Sequence, residues 1–379
     1  MNVATASNRP SKSTRKHRVS RRVGRGVRRT LGVVVVAGLL SMAVAAVAVA
    51  PAMADGIVQV PVAFQVKNTN TSQAPCTSGL PDGATYTIRG HISGPQSSLT
   101  SGRARTITLY LFGYEAGEWN WDLKGVAGYD YAAEMAKRGH VSLTIDELGY
   151  GASGHPANGN ETCQGAEADI AHQIVQTLRS GAYSLGTAPG IAFSRVLLAG
   201  HDIGGSVAEI EAYSYADIDG LISVTFAHQG FTPYIIERST VAAFGTCTES
   251  PSGYAHFISE DEFRSLLFYN TDPRVIDAAA ALRNPNPCGV IRSNPPSVLV
   301  ADRLHTAEIK VPVLIVFGDK DTLVWSRQGE EEEQRNFSGS PDASTVFIPE
   351  AGHFPMFSRT ASVFDQEMSA WLGSRFPAS

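Results

Sequence analysis

The sequence predicts an α/β protein with a mostly parallel, doubly wound sheet and one inserted, mainly helical segment. Short apolar runs alternate with helical patterns from Thr106 onwards, which is typical of strands joined by crossover helices. The alternation stops after residue 231 and resumes near residue 310, which indicates an insertion between two core strands. With 379 residues, of which 43% are hydrophobic, the chain is long enough to bury one large core.

The first 54 residues predict a signal peptide rather than a part of the fold. They contain ten Lys or Arg, no Asp or Glu, and an apolar run from Leu31 to Ala50, followed by the small-x-small cleavage pattern Ala52-Met53-Ala54. We therefore expect a secreted protein whose mature chain begins near Asp55. The pairs Arg21-Arg22 and Arg28-Arg29 leave the Sec and Tat export routes open, and an uncleaved transmembrane anchor is the alternative.

The charge of the mature chain narrows the choice of partners. Removal of the leader would leave 21 Lys or Arg against 36 Asp or Glu, a formal charge of about −15. Such an acidic chain is a poor partner for nucleic acids and anionic membranes. We expect a small-molecule substrate, no nucleic-acid partner and no stable membrane insertion once the leader is cleaved.

All four cysteines lie in the exported part, and their spacing matches no metal-binding pattern. An even number of cysteines in an oxidising compartment predicts disulfides. Four cysteines allow three connectivities. We expect Cys76–Cys163, which would tie the N-terminal segment to the core, and Cys247–Cys288, which would crosslink the inserted segment. No metal ion and no cofactor are expected.

The elements of the mature chain follow from periodicity. Residues 55–105 predict an antiparallel hairpin, because alternating runs such as Tyr86–Ile92 lie between clusters of Gly, Pro, Ser and Thr. Strands are expected at residues 107–112, 141–145, 196–199, 221–227 and 311–317, and helices at residues 131–138, 167–179 and 206–215. Functional sites of such sheets lie at the carboxyl ends of the strands.

The stretch around Asp202 predicts a strand, a sharp turn and a helix. The apolar run Val196–Ala199 is followed by Gly200-His201-Asp202-Ile203-Gly204, and helical spacing begins at Ser206. Glycines on both sides allow strand and helix to approach closely, so the side chain of Asp202 is expected at the exposed apex. The alternative is that Asp202 only caps the following helix.

This turn resembles the nucleophile elbow of the α/β-hydrolase superfamily, Gly-x-nucleophile-x-Gly, with aspartate where serine is usual. The sequence of the turn, Gly200-His201-Asp202-Ile203-Gly204-Gly205, is most similar to that of the epoxide hydrolase and dehalogenase branch. The resemblance implies an α/β-hydrolase fold and assigns Asp202 as the nucleophile. It also implies that the acid and the histidine follow in that order along the chain.

Two later loops are similar to the acid and histidine loops of the superfamily. A buried strand that ends at Phe317 is followed by Asp319 and Asp321. The resemblance implies that Asp321 is the acid, with Asp319 as the less favoured alternative. A further apolar run ends in a Gly-His pair, which implies that His353 is the base. His201, beside the elbow, is expected to have only a packing or supporting role.

The oxyanion hole of the superfamily consists of two backbone N–H groups, one directly after the nucleophile and one after an early strand of the parallel series. By resemblance, these are the N–H groups of Ile203 and Tyr114. The second loop reads Phe112-Gly113-Tyr114-Glu115, without the histidine and the proline of the usual His-Gly-x-Pro. An ordinary turn at the end of a strand is the alternative.

The insertion lies where the superfamily places its cap domain. The resemblance therefore implies a cap at residues 232–309, between core parts at residues 55–231 and 310–379. A cap covers the site and excludes water. Epoxide hydrolases use cap tyrosines to protonate the leaving oxygen, so Tyr254 and Tyr269 are possible acids, as is Tyr234.

The resemblance implies that the Asp202 carboxylate attacks an sp3 carbon, and that His353, oriented by Asp321, activates water to hydrolyse the resulting ester. An epoxide-hydrolase-like enzyme is the first expectation. A dehalogenase is an alternative, although the halide-binding tryptophan that often follows the nucleophile is replaced by Ile203. Two further alternatives are an exported ester hydrolase lineage in which aspartate replaced serine, and a non-catalytic binding protein on the same scaffold.

Overall fold

The computed structural model describes residues 56–101, 105–293, 302–321 and 325–377. Its centre is an eight-stranded sheet with the strand order β1-β2-β4-β3-β5-β6-β7-β8. The strands are β1 (Ile57–Lys67), β2 (Thr85–Pro95), β3 (Thr106–Leu111), β4 (Ser142–Asp146), β5 (Arg195–His201), β6 (Gly220–Val224), β7 (Val313–Gly318) and β8 (Ala343–Ile348). The pairs β1–β2 and β2–β4 are antiparallel, and every pair from β4 to β8 is parallel. The predicted α/β class is confirmed.

Helices connect and cover these strands. The main ones are α1 (Tyr131–Lys137), α2 (Gln164–Ser180), α3 (Ile203–Tyr215), α4 (Pro233–Thr240), α5 (Glu260–Leu266), α6 (Pro273–Ala281), α7 (Arg327–Glu333) and α8 (Ala361–Arg375). Shorter helical turns are Gln96–Thr100, Glu118–Asn120, Val241–Thr246, Cys247–Glu249, Cys288–Arg292, Thr306–Glu308, Gln334–Phe337 and Pro355–Phe357. Two small hairpins pair Ser184–Leu185 with Ala188–Pro189, and Tyr254–Ala255 with Asn286–Pro287.

No helix in the described part of the chain is long and apolar enough to cross a membrane. The predicted signal peptide, residues 1–54, lies outside the described residues.

The observed elements match the predicted ones with two informative differences. The strand expected at residues 221–227 ends at Val224, because Thr225 has a positive φ of 49° that extended backbone does not allow. The helix expected from Ser206 begins at Ile203, directly after the turn. This early start is possible because the first turn of the helix contains two glycines. A Cβ on Gly204 would lie only 2.6 Å from the Phe112 oxygen, and a Cβ on Gly205 only 2.9 Å from the Phe226 Cβ.

Both faces of the sheet are covered, as is typical of parallel strands between helices. In β5, Leu198 packs into the apolar cluster of one face, and Leu197 and Ala199 pack into the cluster of the other. The chain runs from β3 to β4 on one side of β3 and then crosses to β5 on the other side. Such a reversal leaves a crevice at the carboxyl ends of the strands, so the loops after β3 and β5 lie side by side.

Both predicted disulfides are present, with the predicted pairing. Cys76 is joined to Cys163, the residue that caps α2, with 5.6 Å between their Cα atoms. Cys247 is joined to Cys288 with 5.5 Å between their Cα atoms. The first crosslink ties the segment between β1 and β2 to the core, and the second closes a loop within residues 232–309.

We expect Gly200→Ala to destabilise the fold strongly. A Cβ on Gly200 would lie 2.0 Å from the backbone oxygen of Gly204, and neither backbone can move without opening the turn. The expected loss is about 3 kcal/mol in the free energy of unfolding, measured by urea titration. Gly373→Ala is the matched control, because its Cβ would meet no atom within 4 Å and it lies in α8, where alanine is the better helix former. Equal unfolding midpoints for the two variants would contradict this account of the turn.

Candidate active site

Asp202 lies at the apex of the turn between β5 and α3. Its φ of 51° is unusual for a residue other than glycine and is stabilised by the hydrogen bond from its N–H to the Val224 oxygen, 2.9 Å long. A second bond, 2.8 Å long, runs from the Gly205 N–H to the Asp202 oxygen. Backbone strain of this kind costs about 1–3 kcal/mol and persists where the surrounding structure enforces it, as it often does at functional sites. The turn therefore presents the carboxylate instead of burying it in the helix.

Backbone N–H groups hold the Asp202 carboxylate from the β3 loop and from α3. The Tyr114 N–H donates to Oδ2 at 3.2 Å, and the Ile203 N–H lies close enough to the carboxylate to lower its pKa. Gly113 permits this approach, because a Cβ there would lie 2.6 Å from Oδ2. Burial raises the pKa of Asp202, and the nearby His353 and the two N–H groups only partly oppose this effect. Of the two predicted oxyanion donors, the Tyr114 N–H thus bonds to the predicted nucleophile and the Ile203 N–H lies beside it.

His353 lies between two carboxylates. Its Nδ1–H donates to Oδ2 of the buried Asp321 at 2.9 Å, and its Nε2 lies 3.7 Å from Oδ1 of Asp202. Burial lowers the pKa of His353, but the charges of Asp321 and Asp202 outweigh it, so the net shift is upward. His201 donates from Nε2 to the His353 backbone oxygen at 2.8 Å. The structure therefore brings Asp202, His353 and Asp321 together, with His201 in the supporting position expected for it.

A cavity of about 60 Å³ opens in front of Asp202 and His353. Most of its walls are aromatic or aliphatic side chains, and nearly half of the lining residues come from residues 232–309, the segment expected to cover the site. The lining residues of that segment are Tyr234, Ile235, Ile236, Ser239, Phe257, Ile258 and Leu267. From the core, Phe226, Phe231, Trp325 and Phe354 complete the apolar wall.

The tyrosine prediction needs correction. Neither Tyr254 nor Tyr269 lines the cavity: the Tyr254 hydroxyl donates to the Pro156 oxygen at 3.0 Å, and Tyr269 is 43% exposed beside Gly352. Tyr254 faces away because its short strand pairs with Asn286–Pro287. Tyr234, near the start of α4, does line the cavity, and its buried hydroxyl has no hydrogen-bond partner among the described residues.

Sequence reasoning gave no role to Glu115, although it lies beside the Tyr114 N–H. Glu115 has a positive φ of 65°, and its N–H donates to Oδ1 of Asn286 at 2.6 Å. Its buried carboxylate accepts hydrogen bonds from the Arg283 guanidinium and from the Ile258 N–H. These contacts fasten the Tyr114 loop to residues 232–309. The only sequence signal was a charged residue at the position where the superfamily has proline.

We expect Arg283→Met to destabilise the protein and to lower turnover. Arg283 and Glu115 form a buried ion pair, with side-chain exposures of 8% and 2%. The variant leaves the Glu115 carboxylate without its cation, which should lower the free energy of unfolding by about 3–5 kcal/mol. Urea titration measures the stability, and turnover by the folded fraction reports the displacement of the Tyr114 N–H. Arg264→Met is the control, because Arg264 pairs with Glu260 and Asp277 on the surface. If both variants unfold at the same urea concentration, Glu115 has no such anchoring role.

Comparisons with known proteins agree with this geometry. A sequence profile described as the alpha/beta hydrolase family matches residues 112–366. Among solved structures, a thermophilic esterase from Thermogutta terrifontis is 20% identical, with a TM-score of 0.57 over 82% of this chain and 98% of that one. A monoacylglycerol lipase from Paleococcus ferrophilus is 16% identical, with a TM-score of 0.54 over 71% and 94%.

The enol-lactonase from Burkholderia xenovorans LB400 is 18% identical, with a TM-score of 0.51 over 76% of this chain and 96% of that one. At these identities, the solved structures support the shared fold alone. No protein with a curated description matches the chain. The profile spans most of the described core and includes Asp202, Asp321 and His353. The chain belongs to the alpha/beta hydrolase family.

Proposed function

We propose that this hydrolase is exported and opens a small epoxide-like substrate by attack of Asp202 on an sp3 carbon. The observation that carries the proposal is the carboxylate itself: an aspartate occupies the elbow, with Oδ2 bonded to the Tyr114 N–H and Oδ1 directed towards His353. The two disulfides are consistent with an oxidising compartment. The apolar walls favour an uncharged organic substrate.

In the first step, Oδ1 of Asp202 forms a bond to the substrate carbon while the carbon–oxygen bond of the ring breaks. The departing oxygen needs a proton. The Tyr234 hydroxyl is suited to supply it, because it is buried in the cavity wall and none of the described residues hydrogen-bonds to it. Burial raises the pKa of Tyr234 to about 12, so this hydroxyl carries its proton at neutral pH. The product of this step is an ester between Asp202 and the substrate.

In the second step, His353 removes a proton from water, which attacks the carbonyl carbon of the ester. Asp321 accepts the hydrogen bond from Nδ1–H of His353 and so fixes the imidazole ring with the lone pair of Nε2 facing the site. Negative charge then develops on the oxygen that the Tyr114 N–H already contacts, and the Ile203 N–H adds a second donor to this carboxyl group. Collapse of this intermediate breaks the ester bond, and the protonated His353 gives its proton to the departing alcohol oxygen, so that a diol is released. The remaining proton of the water returns to Tyr234, which regenerates both its hydroxyl and the Asp202 carboxylate.

A single-turnover reaction in oxygen-18 water with excess enzyme tests the proposal. The probe is the best substrate among generic epoxides, haloalkanes and p-nitrophenyl esters. An ester at Asp202 predicts that the first product carries unlabelled oxygen from the carboxylate, while the label enters Asp202 and is detected in the peptide that contains it. Label found only in the first product would mean that water attacks the substrate directly.

We expect Tyr234→Phe to lower the rate of ester formation about 10²–10⁴-fold, because the leaving oxygen loses its proton donor. Stability should not fall, since the hydroxyl has no partner to lose. Single-turnover kinetics measure the rate, and urea titration measures the stability. Tyr254→Phe is the matched control, because its hydroxyl bonds to Pro156 away from the cavity. Equal rates for the two variants would remove Tyr234 from the mechanism.

Ester hydrolysis is the second candidate, because the esterase, the lipase and the lactonase share the fold. Attack of an aspartate on an ester would form a mixed anhydride, which is high in energy, so this candidate requires another role for Asp202. Faster turnover of p-nitrophenyl esters than of epoxides would favour it.

Halide release and pure ligand binding are less well supported. The Trp325 indole N–H donates to the Ala227 oxygen at 2.6 Å and is not available to a halide, and position 203 is isoleucine. A binding protein has no need for a histidine oriented by a buried carboxylate, as His353 is by Asp321. Preferred turnover of a haloalkane, or stoichiometric binding without turnover, would favour the respective alternative.

A further inference from the structure

A second cluster of titratable groups lies apart from the active site, on the α3 side of the sheet. His228 follows β6 and is surrounded by Glu209 of α3, Glu333 of α7 and Asp302. The side chains of His228, Glu209 and Glu333 are fully buried, and that of Asp302 is 4% exposed. None of these four residues lines the cavity in front of Asp202.

The hydrogen bonds of the cluster leave three atoms unpaired. The Glu333 carboxylate accepts two hydrogen bonds from His228, one from its backbone N–H at 2.9 Å and one from Nδ1 at 2.8 Å. One oxygen of Glu209 accepts from the Ser223 hydroxyl at 2.8 Å, and one oxygen of Asp302 accepts from the Tyr213 hydroxyl. His228 Nε2, Glu209 Oε2 and Asp302 Oδ2 have no hydrogen-bond partner among the residues that the structure describes.

These three unpaired atoms face one another. Nε2 lies 3.4 Å from Glu209 Oε2 and 3.5 Å from Asp302 Oδ2. Because Nδ1 donates its hydrogen to Glu333, the neutral ring has a bare lone pair on Nε2, opposite two carboxylate oxygens. A proton shared at these distances would make long hydrogen bonds, since ordinary ones span about 2.7–3.2 Å. With the neutral ring, these three acceptors have no donor among the described residues and lie away from water, so a positive charge belongs between them, carried either by a proton on Nε2 or by a bound metal cation.

We propose that this cluster is a binding site for a divalent transition metal such as zinc, with His228 Nε2, Glu209 Oε2 and Asp302 Oδ2 as ligands. Two ligand atoms at about 2.1 Å from a tetrahedral zinc lie about 3.4 Å apart, which matches the observed separations from Nε2. Metal-bound histidines usually donate their other ring N–H to a carboxylate, and Glu333 is that carboxylate here.

The proposed metal would be structural. It would tie α3 to the segments that contain His228 and Asp302, and through Glu333 to α7. Glu209, His228 and Glu333 also offer ligand atoms within 4.8 Å of one another, so Glu333 lies close to the proposed site. The four residues are far apart in the sequence, and their spacing matches no linear metal motif.

Metal analysis of the purified chain tests this inference. After treatment with a chelator, the protein is titrated with ZnCl₂, and bound zinc is measured by elemental analysis and by the rise in the unfolding temperature. We expect one tightly bound equivalent, and at least about a 10-fold loss of affinity in Glu209→Gln and in Asp302→Asn. Glu118→Gln is the matched control, because it alters another group of histidine and carboxylates, His91, Glu118 and Asp122. This control should bind zinc like the wild type.

X-ray absorption at the zinc edge of the wild-type protein adds a measurement that does not depend on variants that fold poorly. We expect one imidazole nitrogen with oxygen ligands. The inference is overturned if the wild type binds no zinc more tightly than Glu209→Gln does, if Glu118→Gln loses the metal instead, or if more than one imidazole coordinates it. If the wild type binds no zinc more tightly than Glu209→Gln does, protons alone occupy the space between His228 Nε2, Glu209 Oε2 and Asp302 Oδ2.

Discussion

His353→Gln should form the covalent ester but fail to hydrolyse it. The first step uses the Asp202 carboxylate, whereas the second needs a base for water, and glutamine cannot act as one. We expect turnover to fall about 10³-fold, while the first step retains most of its rate. Intact-protein mass spectrometry should show an adduct that persists, and its mass increment would identify the substrate. Peptide mapping should place it on Asp202.

His140→Gln is the matched control for this experiment. His140 bonds through Nε2 to Ser369 at 2.8 Å, far from the cavity lining, so this variant should turn over normally and accumulate no adduct. If His353→Gln lost turnover without an adduct, His353 would be required before or during the first bond change, and hydrolysis of an aspartyl ester would not be its role.

Asp202→Ala should abolish turnover without destabilising the protein. The variant removes the nucleophile and the group held by the Tyr114 N–H, and the expected loss of turnover is at least about 10⁴-fold. Burial raises the pKa of Asp202, so the ionised carboxylate opposes folding above its unfolded pKa. The urea midpoint at pH 8 should therefore equal or exceed that of the wild type, which separates a chemical defect from an unfolded protein.

Asp319→Ala is the matched control for Asp202→Ala. Asp319 was the alternative acid, and its side chain lies within 3.4 Å of the Lys320 ammonium, whereas Asp321 bonds to His353. We expect Asp319→Ala to keep most of the activity. Undiminished turnover in Asp202→Ala would remove this residue from the chemistry and favour direct attack by water.

The three residues of the candidate site could be predicted from the sequence because each belongs to a short, local pattern. Asp202 follows a buried strand and stands between glycines, and His353 follows a strand and a glycine. The carboxyl ends of parallel strands lie at the same edge of the sheet, so these loops meet there whichever side chains the rest of the chain carries. The structure brings Asp202, His353 and Asp321 together for this reason. The expected cysteine pairing is the one in the structure, although the sequence allows three connectivities.

The tertiary structure alone decided which side chains beyond these motifs reach the site. The sequence could not distinguish Tyr234 from Tyr254, because the choice depends on which face of residues 232–309 covers the cavity. Glu115 and Arg283 meet across a long insertion, and no local pattern encodes that contact.

The buried cluster around His228 could not be predicted from the sequence either. Its members come from the segment after β6, from α3, from α7 and from the segment around Asp302, and only packing brings them together. By itself, the sequence determined the fold class and the three residues on strand-end loops, since these depend on periodicity and local turns. The pairing of the cysteines, for which four cysteines allow three connectivities, was decided by the tertiary structure. The walls of the cavity and the His228 cluster depend on contacts between distant segments, which form only when the helices pack on the sheet.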